Sequence, residues 1–260
     1  EISGASGTLA FTENDGDSVI DSSLTITDDD DTNIASATIT ISSGFQSTAD
    51  VLAFLDTSAI TGSWDASTGV LTLTGSDSLA NYKAALESVT YNNTSDTPNT
   101  SNRTISWIVN DGSDDSSAIT STITVAAVND APEISGASGT LAFTENDGDS
   151  VIDSSLTITD DDDTNIASAT ISISDGYVST EDILAFSDTS SITAAWDSDT
   201  GVLTLSGSDT LANYKAALES VTYNNTSDTP NTSNRTISWI VNDGSDDSSA
   251  ITSTITVAAV

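Results

Sequence analysis

Residues 105–127 read ISWIVNDGSDDSSAITSTITVAA. Ile105 to Val109 is nearly apolar throughout, and after the turn signal NDGS at 110–113 the residues Ile119, Ser121, Ile123 and Val125 share one face of an alternating run. A period of two with Ile, Val and Thr enriched marks half-buried antiparallel strands. Upstream the same alternation recurs at Leu24–Ile26, Ala37–Ile41, Gly69–Leu73 and Val89–Tyr91, separated by turn signals at 15–17, 42–44, 65–69 and 96–99. Hydrophobic content of 36% is low enough to raise the question of disorder, and the sustained alternation answers it.

One stretch departs from the strand period. Leu79, Tyr82, Leu86 and Val89 fall at helical spacing behind the possible N-caps Ser76, Asp77 and Ser78. This predicts a helix at about residues 78–87 lying across one end or edge of the sheets, with Lys83 on its exposed side. Eight or nine strands and one short helix in about 130 residues predict a Greek-key β-sandwich of the immunoglobulin type. Trp107 sits among alternating apolar residues and belongs in that core. Trp64 lies near a turn and is a candidate for surface exposure.

The pattern is written twice. The segment opening at Glu1 opens again at Glu133, Trp64 returns as Trp196, Trp107 as Trp239 and Val128 as Val260, an offset of 132 residues. About 14 of the 128 paired positions differ. A period this long exceeds a solenoid repeat and fits an independent domain. The expected organisation is therefore a sandwich at 1–128, a joint at 129–132 and a second sandwich at 133–260, an all-β chain of two tandem domains. Leu55 becomes Ser187 while Leu52 and Phe54 return as Leu184 and Phe186, so Leu55 is expected to face water.

Charge narrows the function. Forty Asp and Glu stand against four Lys and Arg, a formal net charge of −36. Binding to nucleic acid needs a basic patch that four cations cannot make, and an anionic membrane surface would repel the chain. No apolar run approaches the ~20 residues of a membrane span, so direct membrane insertion is not expected. The sequence has no His, Cys or Met, which removes the commonest general base, the thiol nucleophile and the soft metal ligands. It opens mid-theme at Glu1 and reads as a piece of something longer.

The acids are clustered. Glu13, Asp15 and Asp17 follow the first strand, Asp28 to Asp31 follow another, Asp111, Asp114 and Asp115 follow Asn110, and Asn129 and Asp130 form the joint. Adjacent carboxylates repel, and the cations are too few to pair them. A hard divalent ion with six to eight oxygen ligands resolves this, and Ca²⁺ is the natural choice. The competing reading is a solvated acidic surface, which accounts for total charge but not for its gathering at strand ends. EF-hand loops and the glycine-rich nonapeptide of calcium-binding β-rolls are absent.

FTEN at 11–14, the strand ending in TDDDD at 27–31, VNDG at 109–112 and ITVAAVNDAP at 123–132 resemble the layout of cadherin repeats. More closely, the chain is similar to the cadherin-like tandem extender domains of large bacterial repeats-in-toxin adhesins. The resemblance covers both copies. It departs in the loop before the penultimate strand, where cadherins carry an Asp-Arg-Glu motif and this chain has YNNTSDTPN at 91–99, leaving Asn92, Asn93 and Asp96 as alternatives.

Carried over residue by residue, the resemblance implies one full Ca²⁺ site at the joint. Its ligands would be Glu13 and Asp96 from the first copy, Asn129 and Asp130 from the joint, and Asp160, Asp162 and Asp243 from the second copy. It implies half-sites at the outer ends: Asp28, Asp30 and Asp111 for a preceding repeat, and Glu145 and Asp228 for a following one. The implied function is a monomeric structural spacer on the bacterial cell surface, stiffened by Ca²⁺. Its partners would be neighbouring repeats of the same chain, and the ligand of the distal adhesive domain would not bind this segment. The alternative is a carbohydrate- or surface-binding module using Trp64 and Trp196. An enzyme is not expected: the acids sit in Gly/Ser/Asp turns rather than a cleft, and the many Ser and Thr have no base to activate them. Asn-x-Ser/Thr triplets such as Asn93-Thr94-Ser95 arise by chance in Ser/Thr-rich sequence and carry no reading by themselves.

Overall fold

The computed structural model describes all 260 residues, which divide into two compact units, Glu1–Val128 and Asn129–Val260. Both are β-sandwiches with one helix, the fold class the alternation predicts. In the first unit the elements are β1 (Ile2–Ser3), β2 (Thr8–Thr12), β3 (Ser18–Val19), β4 (Thr25–Ile26), β5 (Asn33–Ser43), β6 (Asp50–Ala53), β7 (Thr61–Asp65), β8 (Val70–Ser78), α1 (Leu79–Glu87), β9 (Thr90–Asn93), β10 (Arg103–Asn110) and β11 (Ile119–Ala126). Eleven strands replace the eight or nine expected. The additional ones are short or lie at sheet edges, where a strand needs few apolar residues.

A six-stranded sheet runs β2-β11-β10-β5-β8-β7, a three-stranded sheet runs β3-β9-β6, and β1 pairs with β4. β10 lies between β11, which follows it, and β5, which is distant in sequence, as in a Greek-key sandwich. β2 joins β11 in parallel, Thr8 opposite Thr122 and Thr12 opposite Ala126. The second unit repeats this order strand for strand.

The alternating residues close the core between the sheets. In β10, Ile105, Trp107 and Val109 point inward, and in β11 Ser121, Ile123 and Val125 do so. Trp107 is fully buried, and its indole N–H donates to Ser121 Oγ at 3.0 Å. That hydroxyl donates to Asp21 Oδ2 at 2.8 Å. Phe11 and Tyr91 meet edge to face at 5.0 Å. Trp64 is half-buried against Phe45, so it is neither core nor a free platform. Leu55 is 87% exposed and Leu52 is buried, as the copy-to-copy substitutions indicate. Each unit's core cluster draws only on its own residues.

Of the three candidate caps helix α1 uses Ser78, whose Oγ accepts the Asn81 N–H at 3.3 Å. Tyr82, Ala85 and Leu86 are its buried residues, and Lys83 pairs with Glu87 on the outer face at 2.6 Å. Tyr82 donates to the carbonyl of Gly75, at φ +122°, where a Cβ would stand 1.9 Å from the Ala59 carbonyl oxygen. Only glycine fits there.

The two arginines were not assigned from sequence, and the fold buries both completely. Arg103 Nε and Nη2 reach Asp50 at 3.1 Å, and Asp50 also accepts from Tyr91 Oη and Asn93 Nδ2 at 2.6 Å. Arg103 Nη1 donates to the carbonyls of Asn99 and Ser101, fixing the loop before β10 from below. Arg235 and Asp182 repeat the arrangement, with Glu181 as a second carboxylate at 3.7 Å.

Candidate metal centre

The sequence builds an acidic cluster at one end of each unit through turn chemistry. In the second unit, Asp160 follows the strand Thr157–Thr159 and closes a turn: its Oδ1 accepts the N–H groups of Asp162 at 3.2 Å and Asp163 at 2.8 Å. Asp243 follows the strand Arg235–Asn242 and does the same for Ser245 and Asp246, the latter at 2.8 Å. Short Asp side chains close such turns readily. Each turn consumes one carboxylate oxygen and leaves the other outside the turn: Asp160 Oδ2 is buried without a hydrogen-bond partner, and Asp243 Oδ2 accepts from Asn129.

Asn129 and Asp130 are part of this cluster. Asn129 Nδ2 donates to Asp243 Oδ2 at 3.0 Å and Asp246 Oδ2 at 2.9 Å, and the Asp130 N–H donates to Asp162 Oδ1 at 3.3 Å. The joint residues thus belong structurally to the second unit. Asp160, Asp162 and Asp163 each place an oxygen within 4.8 Å of the others. Two oxygens bound to one Ca²⁺ at about 2.4 Å are at most about 5 Å apart, so this spacing fits a shared ion.

The electrostatics fit as well. Asp160 Oδ2 is buried with no hydrogen-bond partner. Burial pushes the Asp160 carboxyl above its usual range; N–H donation from Asp163 and Asp162 opposes this, and the Asp162 charge reinforces it. Asp243 lies below its usual range: burial raises it, but donation from Asn129 and from the Asp246 and Ser245 N–H groups outweighs that. A set of carboxylate oxygens suits a hard cation and no soft one.

In the first unit, Asp28, Asp30 and Asp31 form the matching group. Asp28 Oδ1 accepts the Asp30 and Asp31 N–H groups at 3.2 and 2.9 Å, and these donations hold its carboxyl below the usual range. Asp30 is pushed up by its hydrogen bond to Asp28 and by the charges of Asp28 and Asp31. Asp111 Oδ1 accepts from Ser113 and Asp114, which lower its carboxyl. Asp28, Asp111, Asp114 and Asp115 line one recess of about 90 Å³. Asp31 and Asp114 stood in the acidic clusters of the sequence but not among the expected ligands, and neither did their counterparts Asp163 and Asp246; each lies three residues after a turn-closing Asp, a place that marks it.

The remaining expected residues lie at the exit of each unit. Asn14 adopts φ +67° and Asp15 Oδ2 accepts the Thr12 N–H at 2.7 Å, a tight turn that sets Glu13 beside the end of β11. Asn is among the few residues that adopt this backbone readily. The Glu13 N–H donates to the Ala126 carbonyl and Glu13 Oε2 accepts the Val128 N–H, both at 2.9 Å, while Oε1 is buried without a partner. Glu145 repeats the arrangement with Val260 at 3.1 Å. Asp96 and Asp228 are exposed in the loop before the penultimate strand, and no hydrogen bond joins either to Glu13 or Glu145. Asn93 is committed elsewhere, donating to Asp50 and accepting the Ser95 N–H. Asn92 lies within β9, half-buried.

Acids outside these clusters have structural work of their own. Asp65 caps the turn at Ser67, Asp56 accepts the Gly62 N–H, and Asp197 and Asp188 repeat both roles. Asp richness is therefore partly turn chemistry.

No family model matches the chain. An 86-residue stretch is 44% identical to Halomucin of Haloquadratum walsbyi, covering 31% of this chain, which spans only 1% of Halomucin's length. Among solved structures, human protocadherin-24 EC1-2 is 11% identical with a TM-score of 0.34, covering 96% of this chain and 94% of that one. Mouse cadherin-23 EC22-24 is 14% identical with a TM-score of 0.37, covering 97% and 63%. Likenesses at this level carry no functional argument.

Proposed function

We propose that the chain is a structural spacer segment of a long extracellular surface protein, of the kind the sequence resembles among bacterial repeats-in-toxin adhesins, and that Ca²⁺ stiffens it. The observation that carries this reading is the cluster at the head of the second unit. Asn129 and Asp130 are hydrogen-bonded into a group of carboxylates that includes Asp160, whose Oδ2 is buried and has no hydrogen-bond partner. A Ca²⁺ ion taking oxygens of Asp160, Asp162 and Asp243 with those of Asn129 and Asp130 would neutralise their repulsion. It would also fix the start of the joint onto the second unit, and Pro132 already restricts the joint's far end. The first unit's Asp28, Asp30 and Asp111 form the same head for a preceding repeat. The likeness to a short part of Halomucin supports reading the chain as one segment of a much longer polypeptide.

Amide hydrogen exchange tests the stiffening. With millimolar Ca²⁺ the amides of residues 129–131 exchange more slowly than in chelator. Equal exchange at the joint in both conditions contradicts the reading.

A further inference from the structure

The segment from β9 to the start of β10 collects a motif that the spacer function leaves unused. The first unit has eight asparagines, and four of them, Asn92, Asn93, Asn99 and Asn102, head Asn-x-Ser/Thr triplets. All four fall within residues 92–104, and the second unit repeats them at Asn224, Asn225, Asn231 and Asn234. Such triplets are acceptors for asparagine-linked glycans when they occupy a surface loop of a secreted protein. Chance produces triplets in this composition, but it does not make them equivalent in the fold.

The structure separates them sharply. Asn93 is 5% exposed and its Nδ2 is held by Asp50 at 2.6 Å. Asn92 lies within β9, opposite Val51 of β6. Asn102 is exposed, but its triplet ends at Thr104, already within β10 and paired with Thr122 of β11. Asn99-Thr100-Ser101 alone lies wholly in the loop with all three residues exposed. Asn99 Oδ1 accepts the Ser101 N–H at 2.9 Å, folding the triplet on itself, while Nδ2 and the Ser101 hydroxyl have no partner. The buried Arg103 grips the Asn99 and Ser101 carbonyls from inside. The loop is thereby presented outward without relying on its own side chains. Asn231, Ser233 and Arg235 repeat each contact.

We propose that Asn99 and Asn231 are glycan acceptor sites, one per unit. The donor is a lipid- or nucleotide-linked sugar phosphate, used by a glycosyltransferase. Asn99 Nδ2 forms a bond to the anomeric carbon as the bond from that carbon to the phosphate oxygen breaks. The phosphate leaves with the electron pair, and the amide nitrogen loses one proton to the transferase's base. No oxidant or reductant is involved. The inference rests on the extracellular location in the reading above and is independent of its Ca²⁺.

The test is glycopeptide mass spectrometry on the protein collected separately from the surface and the cytoplasm of its own cells. Cleavage after Lys83 and Arg103 releases residues 84–103, identical to residues 216–235, so one peptide reports both units. The expected result is surface material carrying sugar mass on that peptide, localised by electron-transfer fragmentation to Asn99/Asn231. The mass disappears in Asn99→Gln/Asn231→Gln. It also disappears in Ser101→Ala/Ser233→Ala, which keeps the asparagines, and in both cases thermal unfolding is unchanged. Unmodified peptide from surface material overturns the proposal and leaves the spacer reading standing. Protein confined to the cytoplasm contradicts both. Sugar on Asn93 or Asn102 in place of Asn99 overturns the assignment.

Discussion

Arg103 and Asp50, 53 residues apart in sequence, meet at 3.1 Å with neither side chain exposed to solvent. Between them they hold β6, β9, β10 and the loop before β10, so the pair acts as a cross-brace rather than a surface contact. Removing one partner leaves the other charged and buried. Asp50→Asn should cost about 3–5 kcal/mol, the range for breaking a buried ion pair. Asp182→Asn should cost less, because Glu181 stands 3.7 Å from Arg235 as a second counter-charge. Denaturant unfolding of each unit's single variant measures the difference, and equal losses would remove Glu181 from the account.

The relay from Trp107 through Ser121 to Asp21 predicts an acid response. Burial raises the Asp21 carboxyl, but donation from the Ser23 hydroxyl and N–H, from Ser121 and from the Gly7 N–H outweighs it, and the group lies below its usual range. Asp153 behaves likewise. A folded-state pKa depressed below the unfolded value of about 3.9 gives stability that is present above that value. That stability is lost as pH falls through the folded pKa. Asp21→Asn should therefore lower stability at pH 7 and flatten the loss of stability below about pH 4. Trp107, buried in the same network, reports it by fluorescence in the fragment 1–128.

Separate cores predict independent folding. Fragments 1–128 and 129–260 should each unfold cooperatively, since no core residue of one belongs to the other's cluster. The fragment 133–260 should also fold but bind Ca²⁺ more weakly than 129–260, because it lacks the Asn129 and Asp130 contacts to Asp243, Asp246 and Asp162. Equal affinities would mean that the joint contributes no ligand.

What sequence made legible follows from range. Alternation at Ile105–Val109 and Ile119–Ala127 reports which side chains face the core, and it identified those strands and their buried Trp107 directly. The helix start at Ser78 was equally local. β7 (Thr61–Asp65) was not legible, because an edge strand with Trp64 as its one large apolar residue has no apolar period. The Arg103–Asp50 brace was not legible either, since its partners are joined only by the fold, although two arginines in a chain with four cations were a signal. The acidic heads stood out by charge. Their internal logic, one Asp oxygen closing the turn and the other left out of it, depends on backbone geometry that composition does not carry.

Metal removal should act on the whole fold. A ligand bound only by the native state adds about 2.7 kcal/mol when its free concentration is 100 times its dissociation constant. The melting temperature should therefore rise between chelator and millimolar Ca²⁺ at fixed ionic strength. Mg²⁺ should substitute poorly, since it demands near-ideal octahedral geometry.

Calorimetric titration of the two-unit chain with Ca²⁺, beside Asp160→Asn/Asp243→Asn, tests the central claim most directly. Both residues lie in the head of the second unit and outside its apolar core. The expected result is saturable binding to the wild-type chain and loss of at least one site in the double variant, which still unfolds cooperatively in chelator. Absence of saturable binding by the wild type, or an unchanged number of sites in the variant, would contradict the account.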